Sequence, residues 1–293
     1  MSDTGTSRVA VLGAGLIGVD LLGKIQLSAS LHCALVAARD PRSVGLRRAA
    51  AMGVPVTAGG VAALVEAGPF DVVFDASSAA AHTEHAQLLA SCAALLVDLT
   101  PSSLGQQVVP TVNGADTLTC RHINLISCGG QASLPLLHAI ARHCEPQYVE
   151  VVTTAASATA GHATRLNLDE YIGTTQQAIR TFTGAPAAKV MVNISPADPP
   201  PPFRVAITVR APRVDEGRVR AAAESAACEV RAFAPGFAIT SCAVTSQKVT
   251  VAAEVTAHGG RLPGHAGNLH IINAAAVLLA KQHAAATAQT GTS

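Results

Sequence analysis

The chain has 293 residues, 49% hydrophobic and 13% charged, with 20 basic against 19 acidic side chains and a net charge of +1. That length accommodates two ordinary domains, and that hydrophobic share excludes a disordered chain. The balanced charge has no basic run, which points away from nucleic acid as a partner, and 3% aromatics with no tryptophan argue against an aromatic ligand box.

The first residues, MSDTGTSRVAVLGAG, lack the charged-then-apolar layout of a secretory leader. No apolar run reaches the ~18 residues of a membrane span. A soluble, cytoplasmic protein with no membrane association is therefore expected. The seven cysteines lie singly with no CxxC pair. They read as reduced thiols rather than a disulfide frame or zinc site, most of them small buried hydrophobes.

In chain order, strands are predicted at 8–12, 33–39, 71–75, 94–99 and 122–127, with Ala/Leu-rich helical spacing at 16–28, 43–52, 59–67 and 79–92. These apolar strands alternating with helices predict a parallel sheet covered on both faces. A helix is expected over 131–143, with Leu134, Leu137 and Ile140 on one face. A strand at 147–155, a loop at 157–165 and a helix at 168–182 follow. The proline cluster at 195–202 can be neither helix nor central strand. Beyond it come a strand at 203–210, a helix at 214–227, strands at 229–233, 236–243 and 247–255, and a long Ala-rich helix at 269–286. The fold class is thus α/β. A dinucleotide-binding domain of the Rossmann type is expected over 1–130, joined by the C-terminal helix at 268–287. An α+β substrate and dimerisation domain is expected over 131–267.

Gly13-Ala14-Gly15-Leu16-Ile17-Gly18 directly follows the first strand and opens a helix. The first glycine permits a tight turn and the second lets the backbone approach a pyrophosphate. The third allows close helix–strand packing, and the helix N-terminus offers amides to phosphate. Asp40, at the end of the second strand, suits a ribose 2′-hydroxyl and favours NAD over NADP, with Arg39 and Arg42 flanking it. Ser77 and Ser78 sit where such a domain touches its cofactor. They read equally well as a helix N-cap.

Cys128, in Ile126-Ser127-Cys128-Gly129-Gly130-Gln131-Ala132, lies between a strand and a helix. Nearby amides and the positive end of a helix dipole favour thiolate, and the turn's amides can face a tetrahedral oxyanion. A small buried residue is the bland alternative.

The glycine loop, FDASSAAAH (74–82), LVDLTPSSLG (96–105), VPTVN (109–113), ISCGGQA (126–132), AGHATRLNLDEY (160–171), SPADPP (195–200) and LPGHAGNLHIINAAA (262–276) occur together in this order. In these segments the sequence resembles the acylating acetaldehyde dehydrogenases, the NAD- and coenzyme A-dependent partners of 4-hydroxy-2-oxovalerate aldolases. The resemblance implies that Cys128 attacks an aldehyde, that hydride passes to NAD, and that coenzyme A takes the acyl group from the resulting thioester. It also implies a homodimer and an aldolase partner. By the same resemblance Ala14 to Ile17 underlie the pyrophosphate, and the loop 159–167, with Gly161, Thr164, Arg165 and Asn167, contacts cofactor. Asn268 meets the nicotinamide end. Asn167 reads equally as a helix cap.

Three departures stand out. The family's Arg-Asp pair after the proline cluster, whose aspartate is a candidate for proton transfer at the cysteine, here reads Arg204-Val205. The family loop Ala-Gly-Pro-Gly-Thr-Arg reads Ala160-Gly161-His162-Ala163-Thr164-Arg165. The stretch at 240–250 is shorter than in the family. His162 becomes a candidate acid/base group in place of the aspartate, with a solvated loop histidine as the alternative. Asp169 and Glu170 read as helix N-terminal charges. No metal is expected, since HTEH (82–85) and HAGNLH (265–270) lack partner ligands. Two other functions fit the same motifs: an NAD(P)-dependent semialdehyde or acyl oxidoreductase that does not use coenzyme A, and a non-catalytic nucleotide-binding partner of an aldolase.

Overall fold

The structure is a computed structural model that describes residues 6–259 and 262–290. Its first part runs β1 (Ser7–Leu12), α1 (Leu16–Gln26), β2 (Leu31–Ala37), α2 (Val44–Ala51), β3 (Val56–Thr57), α3 (Gly60–Glu66), β4 (Val72–Asp75), α4 (Ala79–Leu89) and β5 (Leu95–Asp98). Short β6 (Gln106–Gln107) and α5 (Pro110–Asn113) precede β7 (His122–Asn124). These strands form one seven-stranded sheet in the order β3-β2-β1-β4-β5-β7-β6, parallel at every pairing. β4 and β5 are buried along their whole length, as the apolar runs predicted. The strand order reverses between β1 and β4, and in such sheets ligands bind outside the carboxyl ends of the strands at that point.

The second part begins with α6 (Cys128–Ala141) and continues through β8 (Tyr148–Ala156), α7 (His162–Leu166), α8 (Leu168–Thr183), β9 (Ala187–Ser195), β10 (Phe203–Arg210), α9 (Glu216–Phe233), β11 (Phe237–Thr245) and β12 (Lys248–Val255). Its five strands are ordered β11-β12-β10-β8-β9, antiparallel except for the β8–β9 pair. β8 and β10 alternate strictly, burying Val149, Val151 and Thr153 opposite Val209, Ile207 and Val205. That inner face carries α6, which also packs against α8 and α9. The opposite face, with Glu150, Val152, Thr154, Arg204 and Ala206, remains at least partly exposed. The last helix, α10 (Gly267–Thr290), packs on both α1 and α6 and so touches both layers.

The structure departs from the sequence expectations in five places. The expected strand at 229–233 is the last turn of α9, because Val230 continues the buried stripe of Val219, Ala223, Ala226 and Ala227. β9 had no counterpart among the predicted strands. α6 starts at Cys128 rather than 131, and α7 occupies part of the expected loop. All seven cysteines are free, yet only Cys33 is fully buried, and Cys228 is exposed. Most are therefore half-buried edge residues rather than core.

Candidate active site

The glycine turn lies at the strand-order reversal. Gly13 has φ +102°, and a Cβ there would stand 2.5 Å from the Ala76 carbonyl oxygen, so β1 and the β4 exit pass too closely for any side chain. A Cβ on Gly18 would meet the Gly13 carbonyl oxygen at 2.0 Å, which seats α1 directly against the turn. Around Gly15, the residue before α1, nothing lies within 4 Å of a Cβ position, and no side chain caps that end. The first-turn amides of α1 therefore face open space, with Leu16 exposed and Ile17 partly buried beside them. Asp40 lies in the loop three residues beyond β2, exposed, with its Oδ1 accepting from the Arg42 amide at 2.9 Å.

Ser78 caps α4, its Oγ accepting from the Ala81 amide at 3.4 Å. Ser77 donates from Oγ to Asp75 Oδ1 at 2.5 Å, so this hydroxyl is turned toward a buried carboxylate beneath the turn.

The loop before α8 covers the turn from the other side. A Cβ on Gly161 would lie 3.8 Å from Leu16 Cδ1. Arg165 binds this loop to itself, donating to the carbonyl oxygens of Ala160 and Ser157 at 3.1 and 3.0 Å. Asn167 is buried, donates to the Ala163 carbonyl at 2.5 Å, and makes no side-chain cap on α8. Thr164 is half-buried in α7, and His162 at its first position is exposed without a hydrogen bond to Cys128. Asn268 reaches across from α10, donating from Nδ2 to the Thr159 carbonyl oxygen at 3.1 Å. Its Oδ1 is buried with no partner among the described residues.

Cys128 is the first residue of α6. Ile126 just before it has φ +64°, a left-handed conformation that costs a β-branched residue about 1–3 kcal/mol. Its amide donates to Asn124 Oδ1 at 2.8 Å, which holds the turn. Ser127 caps α6, accepting from the Gly130 amide at 2.9 Å, and its hydroxyl meets Thr175 Oγ1 at 2.7 Å. The strand therefore turns sharply, and the helix opens with the thiol at its positive end.

The group on the thiol is Tyr171. Its hydroxyl lies 3.5 Å from Cys128 Sγ and accepts from the Gly129 amide at 2.9 Å. With the amide on one lone pair, the hydroxyl is placed to donate its proton to sulfur. Gly129 makes room for it: a Cβ there would stand 2.4 Å from the Tyr171 oxygen and 2.6 Å from Thr153 Oγ1. The Thr153 hydroxyl is itself buried beside the same phenol. Val205, opposite Thr153 in the sheet register, is 1% exposed. Burial pushes the Cys128 thiol up from its ordinary range, and the Tyr171 hydroxyl and Gly129 amide offset only part of that. Burial, and then the neighbouring sulfur, hold the Tyr171 phenol well above its usual range, so it stays protonated and able to donate.

Tyr171 was not among the residues singled out from the sequence. The available signal was its position on the buried stripe of α8 with Thr174, Thr175, Ala178 and Ile179, a stripe whose polar members have no reason to be buried unless they bond something.

Residues 128–263 match a family model described as prokaryotic acetaldehyde dehydrogenase, dimerisation. A protein named acetaldehyde dehydrogenase from Streptomyces griseus is 52% identical over 280 residues, 96% of this chain and 91% of that one. Proteins of the same name from Roseiflexus sp. and Geobacillus thermodenitrificans are each 39% identical, over 92% and 94% of this chain and 92% and 95% of their own. The fold is shared with aspartate semialdehyde dehydrogenase II of Vibrio cholerae, with a TM-score of 0.66 at 14% identity, covering 96% of this chain and 99% of that one. Among the described residues no helix is long and apolar enough to cross a membrane. With full-length relatives at this identity, the chain belongs to the acetaldehyde dehydrogenase family.

Proposed function

We propose that the protein is an acylating aldehyde dehydrogenase, interconverting a short aldehyde, NAD and coenzyme A with the acyl-coenzyme A and NADH through a thioester on Cys128. The observation that carries this reading is the half-buried thiol at the first position of α6, 3.5 Å from a phenol that can donate to it.

The residues present fit a dinucleotide. The uncapped first turn of α1 suits a pyrophosphate, and Gly161 and its loop close over it. The unpartnered Asn268 Oδ1 suits the amide of a nicotinamide, and Asp40 suits a ribose hydroxyl. When bound, NAD supplies the hydride acceptor.

Cys128 attacks the carbonyl carbon as thiolate and forms the hemithioacetal. The Tyr171 hydroxyl, held by the Gly129 amide, donates first to sulfur and then toward the oxygen that gathers charge. Loss of hydride leaves the acyl thioester. The coenzyme A thiolate then adds to that carbonyl and expels the Cys128 thiolate, to which Tyr171 again donates. Val205 offers no proton acceptor, and Tyr171, held protonated, stabilises the thiolate by donation rather than taking the thiol's proton.

Residues 1–130 with 268–287 form the dinucleotide domain in this reading, and 131–267 form the substrate domain. Two copies pair through the exposed face of the second sheet, supported by its alternating pattern and by the matched dimerisation model. An aldolase that releases the aldehyde is the expected partner.

Intact mass spectrometry after incubation with acetyl-coenzyme A tests the thioester. An acetyl adduct that disappears in Cys128→Ser is the expected result. An unmodified thiol across a panel of short acyl-coenzyme A thioesters, or NADH formation from aldehyde without coenzyme A, overturns it.

A further inference from the structure

The spacing of histidines in the sequence contains no metal motif, yet the fold gathers three potential ligands from three elements. His82 of α4, Asp98 at the end of β5 and His122 at the start of β7 place one ligand atom each within 4.8 Å of one another. His82 Nε2 lies 3.0 Å from His122 Nε2 and 3.2 Å from Asp98 Oδ2. Two ligands bonded at 2.0–2.1 Å to a tetrahedral ion stand about 3.3 Å apart, so these separations are those of atoms sharing a coordination sphere.

The surroundings are built accordingly. The other His82 nitrogen, Nδ1, lies 2.8 Å from Asp75 Oδ2, which fixes the ring with Nε2 turned to Asp98 and His122; the neutral ring that donates from Nδ1 presents its lone pair there. A carboxylate behind a histidine in this way is the usual outer partner of a metal-bound imidazole. Asp98 is fixed by the Thr100 amide on Oδ1 at 2.7 Å and, on the Oδ2 that faces His82, by the Ser102 hydroxyl at 2.6 Å and the Asn124 side-chain amide at 2.7 Å. The His122 ring is set by Gly105, where φ is +77° and a Cβ would stand 2.7 Å from Cδ2. His82 and Asp98 are fully buried, whereas His122 is only partly so, which leaves one side of the cluster approachable. Asp75 and Asp98 are both 0% exposed, and among the described residues neither pairs with a lysine or arginine. A dication balances two buried carboxylates whose ionisable partners among the described residues are imidazoles.

We propose that His82, Asp98 and His122 bind a divalent cation of the zinc class, with water at the fourth position. Two imidazoles and one carboxylate are the donor set for that class, and too few oxygens for calcium or magnesium. The site ties α4, β5 and β7 together. It also reaches the nucleophile's turn, because Asn124 bonds Asp98 through Nδ2 and the Ile126 amide through Oδ1.

The test uses the full chain without a histidine tag, stripped with a chelator and titrated with zinc and then cobalt(II). The expected result is one metal per chain, visible cobalt d–d bands with no sulfur charge-transfer band, and the same spectrum in Cys128→Ser. His122→Ala loses the metal, and Asp75→Asn binds it about 10- to 100-fold more weakly. Failure to bind either ion, a thiolate charge-transfer band, or binding that survives in His122→Ala overturns the proposal. Should His122→Ala not fold, the cobalt spectrum of the unmodified chain decides alone.

Discussion

Replacing Tyr171 with phenylalanine isolates the hydroxyl at nearly constant volume. In the native site that hydroxyl donates toward Cys128 Sγ and accepts from the Gly129 amide. A hydrogen bond to a charged partner is worth about 1.5–3 kcal/mol and one to a neutral partner about 0.5–1.5. The thiolate therefore loses about 1.4 kcal/mol more than the thiol does, which raises the thiol pKa by about one unit. At neutral pH that is about a tenfold fall in thiolate, and a similar fall in alkylation and acylation rates. The Gly129 amide is left without its acceptor, at a cost of about 1–3 kcal/mol. For a chain of this size that lowers Tm by about 2–4 °C per kcal/mol. The assay is iodoacetamide labelling across pH, read by peptide mass spectrometry, with exposed Cys228 as internal control. An unchanged pH profile at Cys128 in Tyr171→Phe, with the fold intact, would refute the role given to the phenol.

Three further outcomes follow from the same geometry. Because burial raises the Cys128 thiol, its thiolate is scarce at neutral pH, so labelling of the native enzyme climbs with pH and levels off above the ordinary thiol range; a plateau already reached by neutral pH contradicts this. Gly13→Ala forces a side chain onto the Ala76 carbonyl at φ +102° and costs about 1–3 kcal/mol; Tm falls and NADH binding, followed by fluorescence, weakens, whereas unchanged binding would remove the turn from the cofactor site. Val205→Asp puts an unpaired carboxylate where exposure is 1% and destabilises by about 3 kcal/mol or more; a variant that gains activity without losing Tm would contradict this.

Much of this architecture is written in local pattern. The apolar strands around the glycine turn are buried on both faces, so each shows as an uninterrupted run, and α6 carries an obvious stripe. β9 escaped because it buries only Val190 among its nine residues, which leaves no alternation to see. The end of α9 was misread because Val230 and Phe233 favour strands locally while the packing of Val230 belongs to the helix. The candidate site divides in the same way. Cys128 and the glycines are marked by their neighbours in sequence. Tyr171 comes to the thiol across 43 residues, and His122 comes to His82 across 40. No spacing rule spans such gaps, because the contacts exist only once α8 has docked on α6 and α4 on the sheet edge that carries β7.

The double grip of α10 sets a dimension. Asn268 holds the loop that lies over the glycine turn, and Asn273 holds the start of α1 through the Ile17 carbonyl and Asp20. Five helical residues separate them, about 7.5 Å of rise. The two walls of the cleft are therefore gauged by one rigid rod rather than by the sheets they belong to. A ligand entering there meets a slot of preset width, and widening it requires unwinding or sliding that helix.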